Sequence, residues 1–383
     1  MVMQIASSRR GGGLGAKLFE IDWLLPMLIF VIGLIGVAMI YSSTKGVWGA
    51  GATQHLTRLF IGSVLMIIIA VTDFRLWFGL AYPAYLAALL LLVLVEFFGV
   101  SVNGSQRWLN LYVTRIQPSE IMKLAVVLAL ARYYHDLPDW RVSKPLGIIG
   151  ALIIIMLPAA LVLRQPDLGT TLLIIAPGLI ILFLAGVKWR IIGTGFVAAA
   201  IAVPLFYRFG LKDYQRERIW TFLDPSRDPS GAGYHITQSK IALGSGGVNG
   251  KGFMNGTQAN LDYVPENRTD FIFTVIGEQF GLLGGIGIMA LYLGVGVLCM
   301  SIALRVKNVF SKLMIAGITA TFMLYVYINL AMVMGLAPVV GVPLPLISYG
   351  GTVMLVVLAG FGLILSAHVH RESDLPRGAG LLL

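Results

Sequence analysis

The chain has a single cysteine, Cys299, among its 383 residues. No intramolecular disulfide can form, and cysteine-rich metal sites are excluded. Charge is also scarce. Asp, Glu, Lys and Arg together make up 12% of the chain, where soluble domains carry roughly a quarter. Hydrophobic residues reach 57% and the mean hydropathy is +0.85, which excludes an ordinary soluble globule and a disordered chain alike. Catalytic strings are missing too: there is no H-E-x-x-H, no G-x-S-x-G and no Cys/His cluster. The five histidines (His55, His135, His235, His368 and His370) are scattered, and His368 and His370 read as interface residues at a membrane edge. GSGGVNGKG has the glycines of a phosphate loop but not the Walker A spacing. What remains is a polytopic, all-α membrane protein forming one domain over residues 1–383.

The 28 basic residues exceed the 18 acidic ones, giving a net charge of +10. In a soluble protein that excess would suggest nucleic acid. Here it reads as a set of topology determinants, suited also to anionic headgroups or a phosphate-bearing substrate, with no nucleic-acid partner. Arg9, Arg10 and Lys17 precede a long apolar run without a small-residue cleavage site, so the first run reads as a span and not a removed signal.

A membrane helix needs about 20 apolar residues. Uncharged runs at 24–43, 76–95, 146–163, 168–187 and 191–207 qualify, and 59–72 does so after a polar start. Residues 119–134 contain Lys123, 271–304 contain Glu278, and 313–366 is too long for one span. That last run divides at the Pro- and Gly-rich string 335–351, because proline cannot continue a helix. The expectation is ten transmembrane helices. With both termini cytoplasmic, fourteen Lys and Arg fall in the inside segments. Five (Lys45, Arg58, Arg107, Arg115 and Arg164) fall in the short outside connections. Residues 208–270 then form one long extracytoplasmic loop.

That loop ends in PENRTDFIF, where the next helix should begin. Thr269 is a candidate N-cap with Asp270 in the first turn, a structural reading that competes with a catalytic one. Glu266, Arg268 and Asp270 crowd the surface, and Glu278 two turns further on should face a cavity. Glu120 and Lys123 share a helix face at i, i+3, either as a packing lock or lining an aqueous cleft. Asp167, behind Pro166, reads as a helix cap. Arg107 and Trp108 form an outer-surface pair suited to an anionic or sugar ligand, or to an interfacial aromatic belt. LAPVVGVPLPLISYGGT is apolar yet cannot be a regular helix, so its backbone must find partners inside the bundle or around a cavity.

The run from Asn329 through Gly335, Pro338, Gly341 and Leu346 to SYGG at 348–351 closely resembles the signature of the SEDS family (shape, elongation, division and sporulation). QPSEIMKLA, RQPDLGT, GTQANLDYVPENRTDFIF and the ten spans extend the resemblance over nearly the whole chain. The GTQ and PLP elements are similar to the rod-shape branch, RodA, more than to the division branch, FtsW. Val353 departs from the pattern, which prefers a small Ser or Ala.

The resemblance implies a peptidoglycan glycosyltransferase that polymerises lipid II, an undecaprenyl-pyrophosphate disaccharide-pentapeptide, at the outer face of the plasma membrane during elongation. It matches Asp270 to the family's essential outer-loop aspartate, Glu120 and Lys123 to a paired group of the fourth helix, Asp167 to a further sensitive acid, and Ser348 to the signature. It also implies a class B penicillin-binding protein and the elongation complex as partners. Joining sugars needs a base for an acceptor hydroxyl and cations for a departing pyrophosphate. Asp270 is the candidate base, and Arg107, Arg216, Arg218, Lys240, Lys251 and Arg268 are candidate cations. A divalent cation, Mg or Mn, would suit the pyrophosphate, but the sequence shows no dedicated cage. The competing readings are a lipid-linked-precursor flippase and a non-catalytic scaffold for a transpeptidase.

Overall fold

The structure is a computed structural model that describes residues 13–102, 105–110, 115–210, 213–228, 231–261, 263 and 266–376. In chain order the helices are α1 (Leu14–Phe19), α2 (Leu24–Ser43), α3 (Ala50–Val71), α4 (Phe74–Phe98), α5 (Pro118–Asp136), α6 (Pro145–Arg164) and α7 (Leu168–Leu184). They continue as α8 (Trp189–Phe209), α9 (Asp213–Leu223), α10 (Ala232–Ser245), α11 (Thr257–Asn260), α12 (Ile272–Arg305), α13 (Val309–Val333) and α14 (Gly351–Val369). Between α4 and α5 lies a small antiparallel sheet of β1 (Val100–Val102), β2 (Ser105–Asn110) and β3 (Arg115–Ile116).

Among the described residues, α2, α3, α4, α6, α8, α12, α13 and α14 are long and apolar enough to cross a membrane. Two further segments expected to span are also helical. α7 is apolar but has 17 residues, and α5 carries Glu120 and Lys123. The expected start at 59 for the third helix is corrected to Ala50, because the polar stretch Thr53–Arg58 is itself helical. His55 there is buried and its Nε2 lies 3.0 Å from the Leu346 carbonyl, so the polarity serves an interior contact. The segment 208–270 holds three helices, α9, α10 and α11.

α5 is buried nearly all round, with every residue from Ala125 to Ala131 enclosed, as expected of a central helix. It packs against α4, α7 and α13, while α14 lies along α3. The long apolar run divides where the prolines require. α13 ends at Val333, α14 starts at Gly351, and the irregular segment between them folds back into the bundle. α12 carries a break at Gly281, whose φ of 65° and ψ of −159° only glycine adopts freely.

Candidate active site

The irregular string between α13 and α14 wraps the turn that precedes α12. Asn329 Nδ2 donates to the backbone carbonyls of Asp270 at 2.8 Å and Val342 at 2.7 Å. Ser348 Oγ donates to the Thr269 carbonyl at 2.5 Å and accepts from Leu344 N, and Tyr349 N donates to the Arg268 carbonyl at 2.8 Å. Tyr292 OH donates to the Pro345 carbonyl at 2.5 Å. The backbone groups freed by the prolines are thus met inside the protein, as low-dielectric surroundings demand. Three consecutive carbonyls, those of Arg268, Thr269 and Asp270, are fixed by residues of α13 and the string.

Capping does not explain Asp270. α12 begins at Ile272 with Phe271 at the N-cap and no side-chain cap bond. The amides of Thr269 and Phe271 instead bond back to the Glu266 carbonyl, and Glu266 takes a positive φ of 53°. The chain therefore turns once more before the helix starts. The Thr269 hydroxyl donates to Glu266 Oε2 at 2.7 Å. Among the described residues the Asp270 carboxylate has no hydrogen-bond or ion-pair partner. Gly341, at φ 71°, lies beside it, and a Cβ there would sit 3.6 Å from Oδ2. Burial, then the negative charges of Glu266 and Asp167, push the Asp270 carboxyl up to about 6.

Asp167 does cap its helix, accepting from Thr170 N at 3.0 Å, and it also pairs with Arg107 Nη1 at 3.3 Å. Arg107 is held further by the Gln165 and Pro166 carbonyls at 3.2 and 2.5 Å. Glu120 and Lys123 form a buried pair at 2.7 Å with a third member that sequence reasoning missed. Tyr325 of α13 donates to Glu120 Oε2 at 2.5 Å and accepts from Lys123. The trio borders a cavity of about 40 Å³. Tyr325 lies some 200 positions from the pair in sequence, and only the fold brings it there.

Glu278, expected to face a cavity, is fully buried and accepts from Lys251 Nζ at 2.8 Å, Gln258 N at 2.9 Å and Thr257 Oγ1 at 3.1 Å. Lys251 is thereby committed to Glu278. Arg216 donates to the Tyr207 and Arg208 carbonyls at the end of α8. Lys240 lies exposed on α10 against Gly335, and the Arg218 side chain is outside the described residues. Arg268 lines a hollow of about 430 Å³ with Glu266, Thr269 and Tyr349.

A larger groove of about 680 Å³ lies on the other side of Tyr349. Arg58 and Arg115 line it with Trp108, Asn110 and the start of α14, above a wall of Ile121, Leu355 and Val356. The Arg58 guanidinium lies 5.0 Å over the Tyr349 ring. Neither arginine has a carboxylate partner among the described residues. Strand alternation separates the expected Arg107 and Trp108 pair: Trp108 and Asn110 face the groove while Arg107 faces Asp167. Two unpaired guanidinium groups beside a helix N-terminus suit a polyanion. Arg58 and Arg115 had entered the sequence reading only as topology charges, because α3, β3 and the start of α14 are far apart in the chain. Among the described residues no three His, Cys, Asp or Glu side chains converge on one point, so the donor set offers no cage for Mg or Mn.

The cell cycle protein family of FtsW, RodA and SpoVE matches residues 21–373. The chain is 43% identical over 345 residues to the peptidoglycan glycosyltransferase MrdB of Escherichia coli K12, covering 88% of this chain and 93% of that one. It is 37% identical to the MrdB of Helicobacter pylori 26695, covering 89% and 88%. A chain from a solved peptidoglycan synthase complex that coordinates polymerisation and crosslinking aligns with a TM-score of 0.82 at 31% identity, over 92% of this chain and 99% of that one. The crystal structure of Thermus thermophilus RodA aligns with a TM-score of 0.70 at 27% identity, over 92% and 98%. By sequence and by fold, the chain belongs to the FtsW, RodA and SpoVE family and is a multi-pass bacterial membrane protein.

Proposed function

We propose that this protein is a peptidoglycan glycosyltransferase of the rod-shape type, polymerising lipid II at the outer face of the plasma membrane through all ten helices α2–α8 and α12–α14. The observation that carries this reading is Asp270: a desolvated carboxylate, without a partner among the described residues, on a turn whose three carbonyls are held by the family signature. An idle surface acid would be solvated or capped. In this mechanism the Asp270 carboxylate takes the proton of an acceptor sugar hydroxyl, and that oxygen attacks the anomeric carbon of a second lipid-linked sugar. The bond from that carbon to pyrophosphate oxygen breaks, and the lipid pyrophosphate leaves with its charge held by Arg58 and Arg115 in the groove. Ser348 and Asn329 hold the turn, Asp167 with Arg107 borders it, and Glu120, Lys123 and Tyr325 form the polar lock beneath. Any divalent cation would come with the pyrophosphate, and no step here is routed through one.

The partner is a class B penicillin-binding protein, a transpeptidase that crosslinks the nascent strand. The test is polymer formation from labelled lipid II in detergent, with purified protein and that partner. Polymer from the parent and none from Asp270→Asn supports the reading. A chain that binds its partner but makes no polymer is a scaffold, and one that only moves lipid II across vesicles is a flippase. The outward placement of 208–270 is tested separately. Cysteine introduced there in a Cys299→Ala background should label from outside spheroplasts, and cysteine near Lys144 should not.

A further inference from the structure

α10 and the glycine-rich string that follows it run alongside the first part of α12 as one strap. His235 stacks on Phe271 at 5.7 Å with planes 16° apart, one residue after Asp270. Ser239, one turn on, shares a 2.8 Å hydrogen bond with Thr274 and donates to the Val333 carbonyl at 2.8 Å. Leu243 fills the space beside Gly277, and at Gly246 a Cβ would come 2.0 Å from the Gly277 carbonyl. Positions 235, 239 and 243 are one face of a helix, and 271, 274 and 277 are the face opposite.

The strap ends in the helix break. With Gly281 out of helical geometry, the carbonyls of Glu278 and Gln279 accept from Lys251 N at 3.1 Å and Gly252 N at 2.9 Å. Beyond the break, Leu282 N and Leu283 N donate to the Gly247 and Val248 carbonyls at 2.9 and 3.2 Å. Backbone groups on both sides of the break are thus completed by the loop. Side chains close the joint: Lys251 and Thr257 on Glu278, and Met254 N on Gln279, whose amide also bonds Ser42 of α2. The string that resembled a phosphate loop is a splice for a broken helix.

We infer that Glu278 is a positioning residue for Asp270, acting by locking the strap so that His235 and Phe271 hold the Asp270 turn against the signature string. The inference rests on Asp270 being the base. The segment 272–279 is clamped at one end by Asn329, Ser348 and Tyr349 and at the other by the splice, so slack at the splice reaches the turn through one buried stretch.

The experiment compares the parent with Glu278→Gln, Lys251→Met and the double variant in lipid II polymerisation, with detergent gel filtration to check folding. Glu278→Gln should lower kcat at least tenfold with KM within twofold, since the substrate groove is untouched. The Lys251 ammonium is partly exposed and can turn to water, so the double variant, in which the lock is equally absent, should stay within about threefold of Glu278→Gln. The pH midpoint of kcat in Glu278→Gln should move below that of the parent, because a loosened turn admits water to Asp270. The charged groups acting on Asp270 there are Glu266 and Asp167 with its Arg107, and the titratable His235, whose pKa burial lowers, lies behind Phe271. A fraction of misfolded enzyme would lower the rate without moving that midpoint. If Glu278→Gln does not fold, Lys251→Met alone carries the test, with a smaller loss of kcat and the same shift. An active parent whose variants keep its kcat and midpoint overturns the inference. An inactive parent overturns the Asp270 reading instead.

Discussion

Asp270 and Glu278 are carboxylates eight positions apart, one on the turn before α12 and one within the helix, and they meet opposite fates. Glu278 is entirely enclosed yet satisfied by an ammonium, a hydroxyl and a backbone amide. Asp270 keeps some surface but has no partner among the described residues, and the charges that act on it, Glu266 and Asp167, are negative. Depth alone therefore does not mark a catalyst. What matters is whether the surroundings have already used the oxygen lone pairs. Glu278 has its proton-accepting capacity committed to structure, whereas Asp270 holds its own in reserve.

The sharpest way to break that contrast is Asp270→Asn. The polymerisation rate should fall by roughly 10² to 10⁴, the usual worth of a general base. Stability should move the other way. Because the folded carboxyl titrates at about 6, above the ordinary 3.8, the fold favours the neutral form. The contribution is present at low pH and is lost as pH rises through the folded value. At pH 7 the Asn variant should be the more stable by up to about 3 kcal/mol. An Asn variant that is both less stable and fully active would return Asp270 to a structural role.

The Glu120 and Lys123 pair extends the comparison to a second satisfied acid. Either Glu120→Gln or Lys123→Met leaves one buried partner stranded beside Tyr325, at about 3 to 5 kcal/mol. The double neutral variant should recover most of that loss in unfolding measurements in detergent. Equal stability for both single variants and the parent would show that the pair is peripheral.

Effects in the groove should be smaller. Arg58→Ala removes one charge-assisted contact to pyrophosphate, worth roughly 1.5 to 3 kcal/mol, or about 10- to 150-fold in KM for lipid II. Arg58→Lys should restore the charge but not the planar stack on Tyr349. An unchanged KM in Arg58→Ala would remove the groove from the substrate path.

The helical architecture was readable because long uncharged runs and the proline break leave the chain few alternatives in lipid. Asp270, Asp167, Glu120 and Lys123 could be named from their strings, and Asp167 fulfils its cap. Other readings failed where distant segments meet. The turn at Glu266 displaced the expected cap because a left-handed residue delayed the helix by two positions, a choice local propensity does not dictate. The partnership of Glu278 with Lys251 depends on the break at Gly281, which looked like one glycine among 45. Arg58, Arg115 and Tyr349 are joined only by the packing of α3, β3 and the string that leads into α14. Val353, bulkier than the family pattern prefers, is accommodated against Leu173, Tyr325 and Val342, so that departure left no visible defect.

The mildest change sharpens the contrast between the two acids by titration. The base must be ionised to take a proton, so kcat should be half-maximal near pH 6 and fall about tenfold per unit below it. Between pH 8 and pH 6 the loss is only about twofold. Asp167 adds a negative charge that opposes ionisation of Asp270, and Arg107 is held beside Asp167. Asp167→Asn removes that charge and uncovers the arginine's field, and both changes favour the ionised form. The midpoint should therefore move to lower pH, while Asn retains the capping bond to Thr170. A midpoint that ignores Asp167→Asn, in a folded and active variant, would mean that the group controlling the rate is not Asp270.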